Sequence, residues 1–332
     1  MTINWASSIP YSPSPRGYGT AICQASQTSF APSFPGSHTT MPVAAEGDWF
    51  LVAALWVVLE MLNRIGGHKR EFSLTDITIQ RPFKAEHVPP TLLFIISLAI
   101  PLAFVIIIGG LVYKSRWDVH NAVLGLFMGF TVTGVVTQVV KMGVGRPRPD
   151  AIARCQPYEG AHDAAVYGLS NYTICTQENA HILNDGFKSF PSGHSSLSFA
   201  GMGFLAFYLA GKMHLADLKG HRTRAWLALS PLLASTMVAV SRTADNRHHW
   251  QDVTVGSLLG LGIAWVAYRA YFPSLATPQS HLPLAPPHYE DHGIPLERRD
   301  EEERIALSEE HGNEDEDDED SVDSVVPRDY AR

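Results

Sequence analysis

Cysteine is nearly absent, with 3 in 332 residues, which excludes a small scaffold stapled by many disulfides. Charge is scarce as well. Only 17% of the chain is Asp, Glu, Lys or Arg, where a soluble domain carries about 25%. The charge present is unevenly placed. Residues 290–332 hold 18 acids and 5 bases, a net of −13, while residues 1–289 hold 15 acids and 20 bases, a net of +5. The formal −8 therefore belongs to a tail, and the body is apolar and mildly basic. An ordinary soluble domain with an acidic surface is excluded, and a membrane body with polar ends is the expected class. No basic start leads into an apolar core, so no cleavable signal peptide is expected.

What the sequence has in quantity is long apolar runs. The clearest cover residues 91–113, 122–140, 225–240 and 253–271, with softer ones at 195–209, diluted by Ser and Gly, and 49–62, broken by Glu60. A membrane-crossing helix needs about 20 residues. Six such runs predict an all-α, polytopic membrane protein of six transmembrane helices over residues 45–272. Residues 1–44, rich in Ser, Thr and Pro, and residues 273–332 are expected to be disordered and cytoplasmic. The second ends in seven successive acids, Glu314 to Asp320. Such a run stays solvated and leaves room for an unidentified cytoplasmic partner.

Short basic loops favour the cytoplasmic side. Lys114 and Arg116, and Lys212, Lys219, Arg222 and Arg224, fall in loops that six spans place on one side together with both termini. The loop 65–90 runs against the rule, with Lys69, Arg70, Arg81 and Lys84 on the outer side. The long loop 142–190 is outer too. It carries Asn171-Tyr172-Thr173, the chain's single Asn-x-Ser/Thr glycosylation pattern. It also carries Cys155 and Cys175, candidates for a disulfide in an oxidising compartment.

Three polar clusters interrupt the apolar pattern, and counting spans puts all three on the outer face. The first runs from Lys141 to Arg148 and Pro149. The second is Pro191-Ser192-Gly193-His194. The third runs from Ser241-Arg242 to His248 and Asp252. Among them are the cations Lys141, Arg148 and Arg242, the histidines His194 and His248 and the carboxylate Asp252, an inventory for holding and transferring a phosphoryl group. Lys and Arg donate to phosphoryl oxygens. The N–H groups of Ser192 and Gly193, ahead of a helix, can point at an anion. One histidine can attack phosphorus while the other protonates the leaving oxygen. Asp252, four residues after His248, is expected on the same helix face, where it would hold the imidazole N–H.

The order Lys-x6-Arg-Pro, Pro-Ser-Gly-His, Ser-Arg-x5-His-x3-Asp resembles the three-part signature of the type 2 phosphatidic acid phosphatase superfamily. Phe72-Ser-Leu-Thr-Asp76 and Ile79-Gln80-Arg81-Pro82-Phe83 are similar to a stretch of its lipid phosphate phosphatase branch. The resemblance covers about residues 45–272. It implies His248 as a nucleophile forming a phosphohistidine, Asp252 as its orienting partner, and His194 as general acid and then base. It implies Lys141, Arg148, Ser192, Gly193 and Arg242 as the phosphate cradle. Arg146, Pro149 and His249 are read as supporting residues. No metal, cofactor or nucleic acid is implied, and the substrate is a bilayer phospholipid. Phosphatidic acid, lysophosphatidic acid and diacylglycerol pyrophosphate all fit a membrane-face site; sphingoid-base and sugar phosphates are the alternatives within the superfamily. Two readings from other classes compete. A membrane metal-dependent oxidase would use His194, His248 and His249 as ligands, against the repulsion of three nearby cations. A transporter or lipid-binding protein would use the charged residues as a path, yet they gather on one face and not in mid-membrane. The membrane itself, endomembrane or plasma membrane, is left open.

Overall fold

The computed structural model describes residues 43–216 and 222–284. The expected N-terminal segment and nearly all of the acidic tail lie outside the described residues. Among the described residues the architecture is helical, with only two isolated β-bridges, Phe72 with Ser170 and Pro157 with Cys175. Six long helices carry it: α1 (Val43–Arg64), α2 (Pro90–Val112), α3 (Arg116–Val144), α4 (Gly193–Lys212), α5 (Arg222–Ala244) and α6 (Trp250–Tyr271). Each contains one apolar run and extends past it to a polar end. Ser115, for example, caps α3 by accepting from Asp118 N. By length and composition α2, α3, α5 and α6 are apolar enough to cross a membrane. In α1 the acids Glu46, Asp48 and Glu60 dilute the run, and in α4 Ser and Gly do so.

The connections give the helices alternating directions, so the bundle has two ends. At one end Lys212 Nζ donates to Asp118 (2.5 Å) and to the His281 carbonyl (2.6 Å), Tyr208 donates to Asp118 (2.7 Å), and Trp117 Nε1 donates to the Leu284 carbonyl. The chain was expected to leave the body at residue 273. These bonds instead keep residues 273–284 packed on the bundle, because the buried ammonium of Lys212 needs a second acceptor and finds it there. At the other end the loops 65–90, 145–190 and 245–249 interlock, through Phe72 with Ser170, Arg81 N with the Pro149 carbonyl and Asn246 with the Pro82 carbonyl.

α4 is the central helix. It packs on α3, α5, α6 and α2, around a core that includes Phe204, Leu205, Tyr208, Ala264 and Tyr268. The closest approach to α2 is at Gly201, where a Cβ would lie 1.5 Å from the Ser97 carbonyl oxygen. That carbonyl, buried, receives no i+4 hydrogen bond because Pro101 has no N–H to offer it. The helix widens to five-residue hydrogen bonding around it, at Ile95–Ala99.

Candidate active site

Each of the three clusters sits where a long helix begins or ends, at the end of the bundle with the interlocked loops. Lys141 is in the last turn of α3. That helix stops at Gly145, whose left-handed backbone (φ 58°) returns its N–H to the Lys141 carbonyl. A Cβ there would meet the His68 carbonyl oxygen at 2.2 Å, so glycine lets the chain turn tightly into Arg146 and Arg148. Ser192 caps α4, its hydroxyl accepting from Ser195 N. Arg242 is near the end of α5, and His248 lies in the short link to α6. Lys141, Arg148, His194, Arg242 and His248 line one cavity of about 450 Å³.

His248 is 3% exposed. Its Nδ1 lies 2.7 Å from the Ser189 carbonyl oxygen. A carbonyl only accepts, so Nδ1 carries the proton and Nε2 is left with a free lone pair. Burial, then the charges of Arg148 and Lys141, push the imidazole well below its ordinary value. The neutral ring is favoured, with its Nε2 lone pair unengaged.

Asp252 does not hold that ring. α6 begins at Trp250 with His249 as its cap, so Asp252 is the third residue of the helix and His248 precedes it. The four-residue spacing shares a face only inside a helix. Here the carboxylate turns back to the cap, accepting from His249 N at 3.1 Å. Its oxygens also accept from Ser189 Oγ (2.6 Å) and Arg146 Nη1 (2.6 Å). Asp252 thus reaches His248 through Ser189, whose hydroxyl it binds and whose carbonyl binds the ring. Arg146, His249 and Ser189 all bind Asp252 directly.

The cradle residues divide. Arg148, 7% exposed, donates through Nη2 to Asp185 (2.7 Å). Asp185 also accepts from Arg154 (3.0 Å), which donates in turn to Asp150 (2.9 Å). Burial alone would raise the Asp185 carboxyl; Arg148 and Arg154 outweigh it and hold the group below the usual carboxylate range. Arg242, 1% exposed, donates to Asp245 (3.0 Å) and Ser241 (3.0 Å). Lys141 Nζ lies 3.1 Å from where a Cβ on Gly193 would stand, so that glycine makes room for the ammonium. The Ser192 N–H, expected to face an anion, donates instead to the Asp252 carbonyl at 3.0 Å. The donors that the start of α4 leaves without intrahelical partners are then those of Gly193 and His194. His194 Nε2 lies 3.2 Å from the Val88 carbonyl. Pro149 is buried beside the cavity wall, its carbonyl accepting from Arg81 N at 2.8 Å.

The remaining candidates stand apart. Cys155 and Cys175 are joined in a disulfide, Cα atoms 4.6 Å apart. Asn171 is exposed and accepts from Thr173 N at 3.0 Å. Four cavity or supporting residues carry no motif signal: Ser189, Asp185, Glu86 and Arg247. Ser189 is two residues ahead of the Pro-Ser-Gly-His cluster and Arg247 one ahead of His248, so proximity could have flagged these two. Glu86 and Asp185 have no such neighbour in sequence. No group of three or more His, Cys, Asp or Glu side chains able to hold a metal ion occurs among the described residues.

Comparison with known proteins follows the same residues. Residues 122–275 match the PAP2 superfamily. Lipid phosphate phosphatase 2 of Arabidopsis thaliana is 37% identical over 241 residues, 72% of this chain and 81% of the relative. The probable diacylglycerol pyrophosphate phosphatase 1 of Schizosaccharomyces pombe is 40% identical over 207 residues, 62% of this chain and 73% of the relative. The diacylglycerol pyrophosphate phosphatase 1 of Saccharomyces cerevisiae is 36% identical over 247 residues, 73% of this chain and 83% of the relative. No solved structure matches. The matched stretch contains all three polar clusters, and at this identity over this length the chain belongs to the PAP2 superfamily.

Proposed function

We propose that this integral-membrane protein is a lipid phosphate phosphatase working through a phosphohistidine on His248, without metal. One observation carries the reading. His248 presents a nitrogen lone pair, with its proton fixed on the opposite nitrogen, in a cavity also lined by Lys141, Arg148 and Arg242. Nε2 attacks phosphorus and the bond to the lipid oxygen breaks. His194, doubly protonated once the phosphate dianion offsets the surrounding cations, gives its second proton to that oxygen, and the alcohol leaves. His194 then takes a proton from water. The hydroxide attacks phosphorus, the P–N bond breaks, and inorganic phosphate leaves a neutral His248. Throughout, the three cations balance the charge spread over the phosphoryl oxygens. Phosphatidic acid, lysophosphatidic acid and diacylglycerol pyrophosphate are the proposed substrates, in keeping with the names of the relatives.

The proposed architecture is six spans over residues 45–272, with the site on the lumenal or extracellular face and both polar ends cytoplasmic. The test is hydrolysis of phosphatidic acid in detergent micelles with excess EDTA, followed by alkaline quench. Turnover with acid-labile, base-stable phosphate on His248 supports the reading. Activity lost to EDTA and restored by magnesium or zinc overturns it.

A further inference from the structure

The loop 65–90 brings a carboxylate into a cavity whose chemistry is cationic. Glu86 lines the same wall as Arg242 and His194. Its Oε2 accepts from Arg242 Nη1 at 3.3 Å, its Oε1 lies 3.3 Å from Arg247 Nη2, and His194 Nε2 is 4.0 Å away. This placement is held from both sides. Lys84 Nζ donates to the Ala244 carbonyl and Arg247 Nη2 to the Lys84 carbonyl. His87 N donates to Asp245 at 2.9 Å. The Phe83 ring sits between the guanidinium groups of Arg154 (5.1 Å) and Arg247 (4.6 Å). Residues on both sides of Glu86 are therefore pinned to the end of α5 and the link to α6, which carry Arg242 and His248.

The hydrogen bonds of Arg242 make the consequence specific. Its Nε and Nη2 are held by Ser241 and Asp245, and of the two N–H groups that remain, both on Nη1, one is bound to Glu86. A buried guanidinium cannot turn to water for a replacement partner. A phosphoryl oxygen that binds Arg242 through Nη1 either displaces Glu86 or sits beside it on the same nitrogen, and in both cases the two anions repel each other at short range.

We propose that Glu86 is an internal anion that competes with the phosphoryl group for Arg242 and Arg247, and so weakens the grip of the site on the inorganic phosphate it produces. The proposal rests on the phosphatase reading above. It assigns Glu86 a role in substrate affinity and phosphate release and no part in bond making. As phosphate departs, the carboxylate returns to Nη1, so the cations are never left uncompensated.

The test uses the full chain in detergent micelles and the variant Glu86→Gln, which keeps the shape and removes the charge. Two quantities are read: the inhibition constant of inorganic phosphate against phosphatidic acid hydrolysis, and the phosphate concentration that half-protects His248 from diethylpyrocarbonate, followed by peptide mass. The second needs no turnover. Both are expected to fall about tenfold, the effect of losing a charged competitor. Glu86→Ala, which also lacks the charge, is expected to shift them the same way. Equal protection in native protein and Glu86→Gln sinks this proposal alone. So does weaker protection with a lower kcat, which would make Glu86 an orienting partner of Arg242. Absence of protection in the native protein sinks the phosphatase reading, and this proposal with it.

Discussion

At His248 the decisive contact is a backbone carbonyl. The sequence spacing points to Asp252 as the group that fixes the tautomer, and the start of α6 at Trp250 redirects that carboxylate to the cap of its own helix. Ser189 joins the two, through its hydroxyl to Asp252 and its carbonyl to His248. Ser189→Ala is therefore expected to lower kcat roughly tenfold, the usual cost of loosening a group that orients a catalytic one, while KM stays near its native value. A kcat indistinguishable from native would remove Ser189 from the chain of support. The neutral ring also has a pH signature. Burial and the cations lower its pKa, so the uncharged form persists below the ordinary histidine range. Nitrogen NMR of the labelled, detergent-solubilised protein is expected to show no titration of His248 between about pH 5 and 8, and a midpoint near 6.5 would contradict the assigned environment. For Arg148 the partner is Asp185, which no motif announces. Asp185→Asn leaves a buried guanidinium with a weaker anchor, and a drop of about tenfold in kcat/KM is the expected result in the same assay. Neutralising Lys141, Arg148 or Arg242 outright is expected to cost about a hundredfold, as for other donors to transition-state charge.

At the scale of elements, the helices are legible because each is driven by one apolar run, and the motifs are legible because they sit at helix ends where caps leave a local trace. The loop 145–190 leaves none. It is fixed by partners far away in sequence: Asp163 accepts from Leu74 N (3.0 Å) and Ser73 Oγ (2.7 Å), and Ser170 pairs with Phe72. The bonds between helices and the contacts of small residues are equally hidden. A Cβ on Gly260 of α6 would stand 2.1 Å from the Ser196 oxygen and 3.0 Å from Ala200 N, both backbone atoms of α4. Backbone cannot yield as a flexible side chain can. Gly260→Ala is expected to cost about 1–3 kcal/mol, as overpacking does. The measurement is the midpoint of thermal inactivation in micelles, and an unshifted midpoint would show that the two helices can separate at no cost.

The whole molecule is organised as two ends with different chemistry. One end gathers the cavity, its cations and the disulfide-bonded loop; the other holds the buried Asp118–Lys212 pair and the segment after α6. Basic-loop counting conflicts with itself here, because residues 65–90 are basic yet lie at the cavity end. Part of that charge is engaged in fixing the loop: Lys84 donates to the Ala244 carbonyl and Lys69 stacks over Tyr172 at 4.2 Å. Charge used to hold loops together is a poor guide to sidedness, which is why the loop 65–90 runs against the basic-loop rule while the other loops follow it. The orientation can be read directly. Single cysteines at exposed Glu71, on the cavity side, and exposed Arg116, at the opposite end, would be introduced after replacing Cys23 by Ser, the Cys155–Cys175 pair being unreactive as a disulfide. A membrane-impermeant maleimide added to sealed, right-side-out vesicles is expected to label Glu71→Cys at once if the site faces outward in that membrane. It is expected to label Arg116→Cys only after the vesicles are opened. In vesicles from an internal membrane, whose lumen is closed, the pattern inverts and still separates the two positions. Labelling of both from the same side would mean that the bundle does not carry the chain across the bilayer between them, and the six-span architecture would fall.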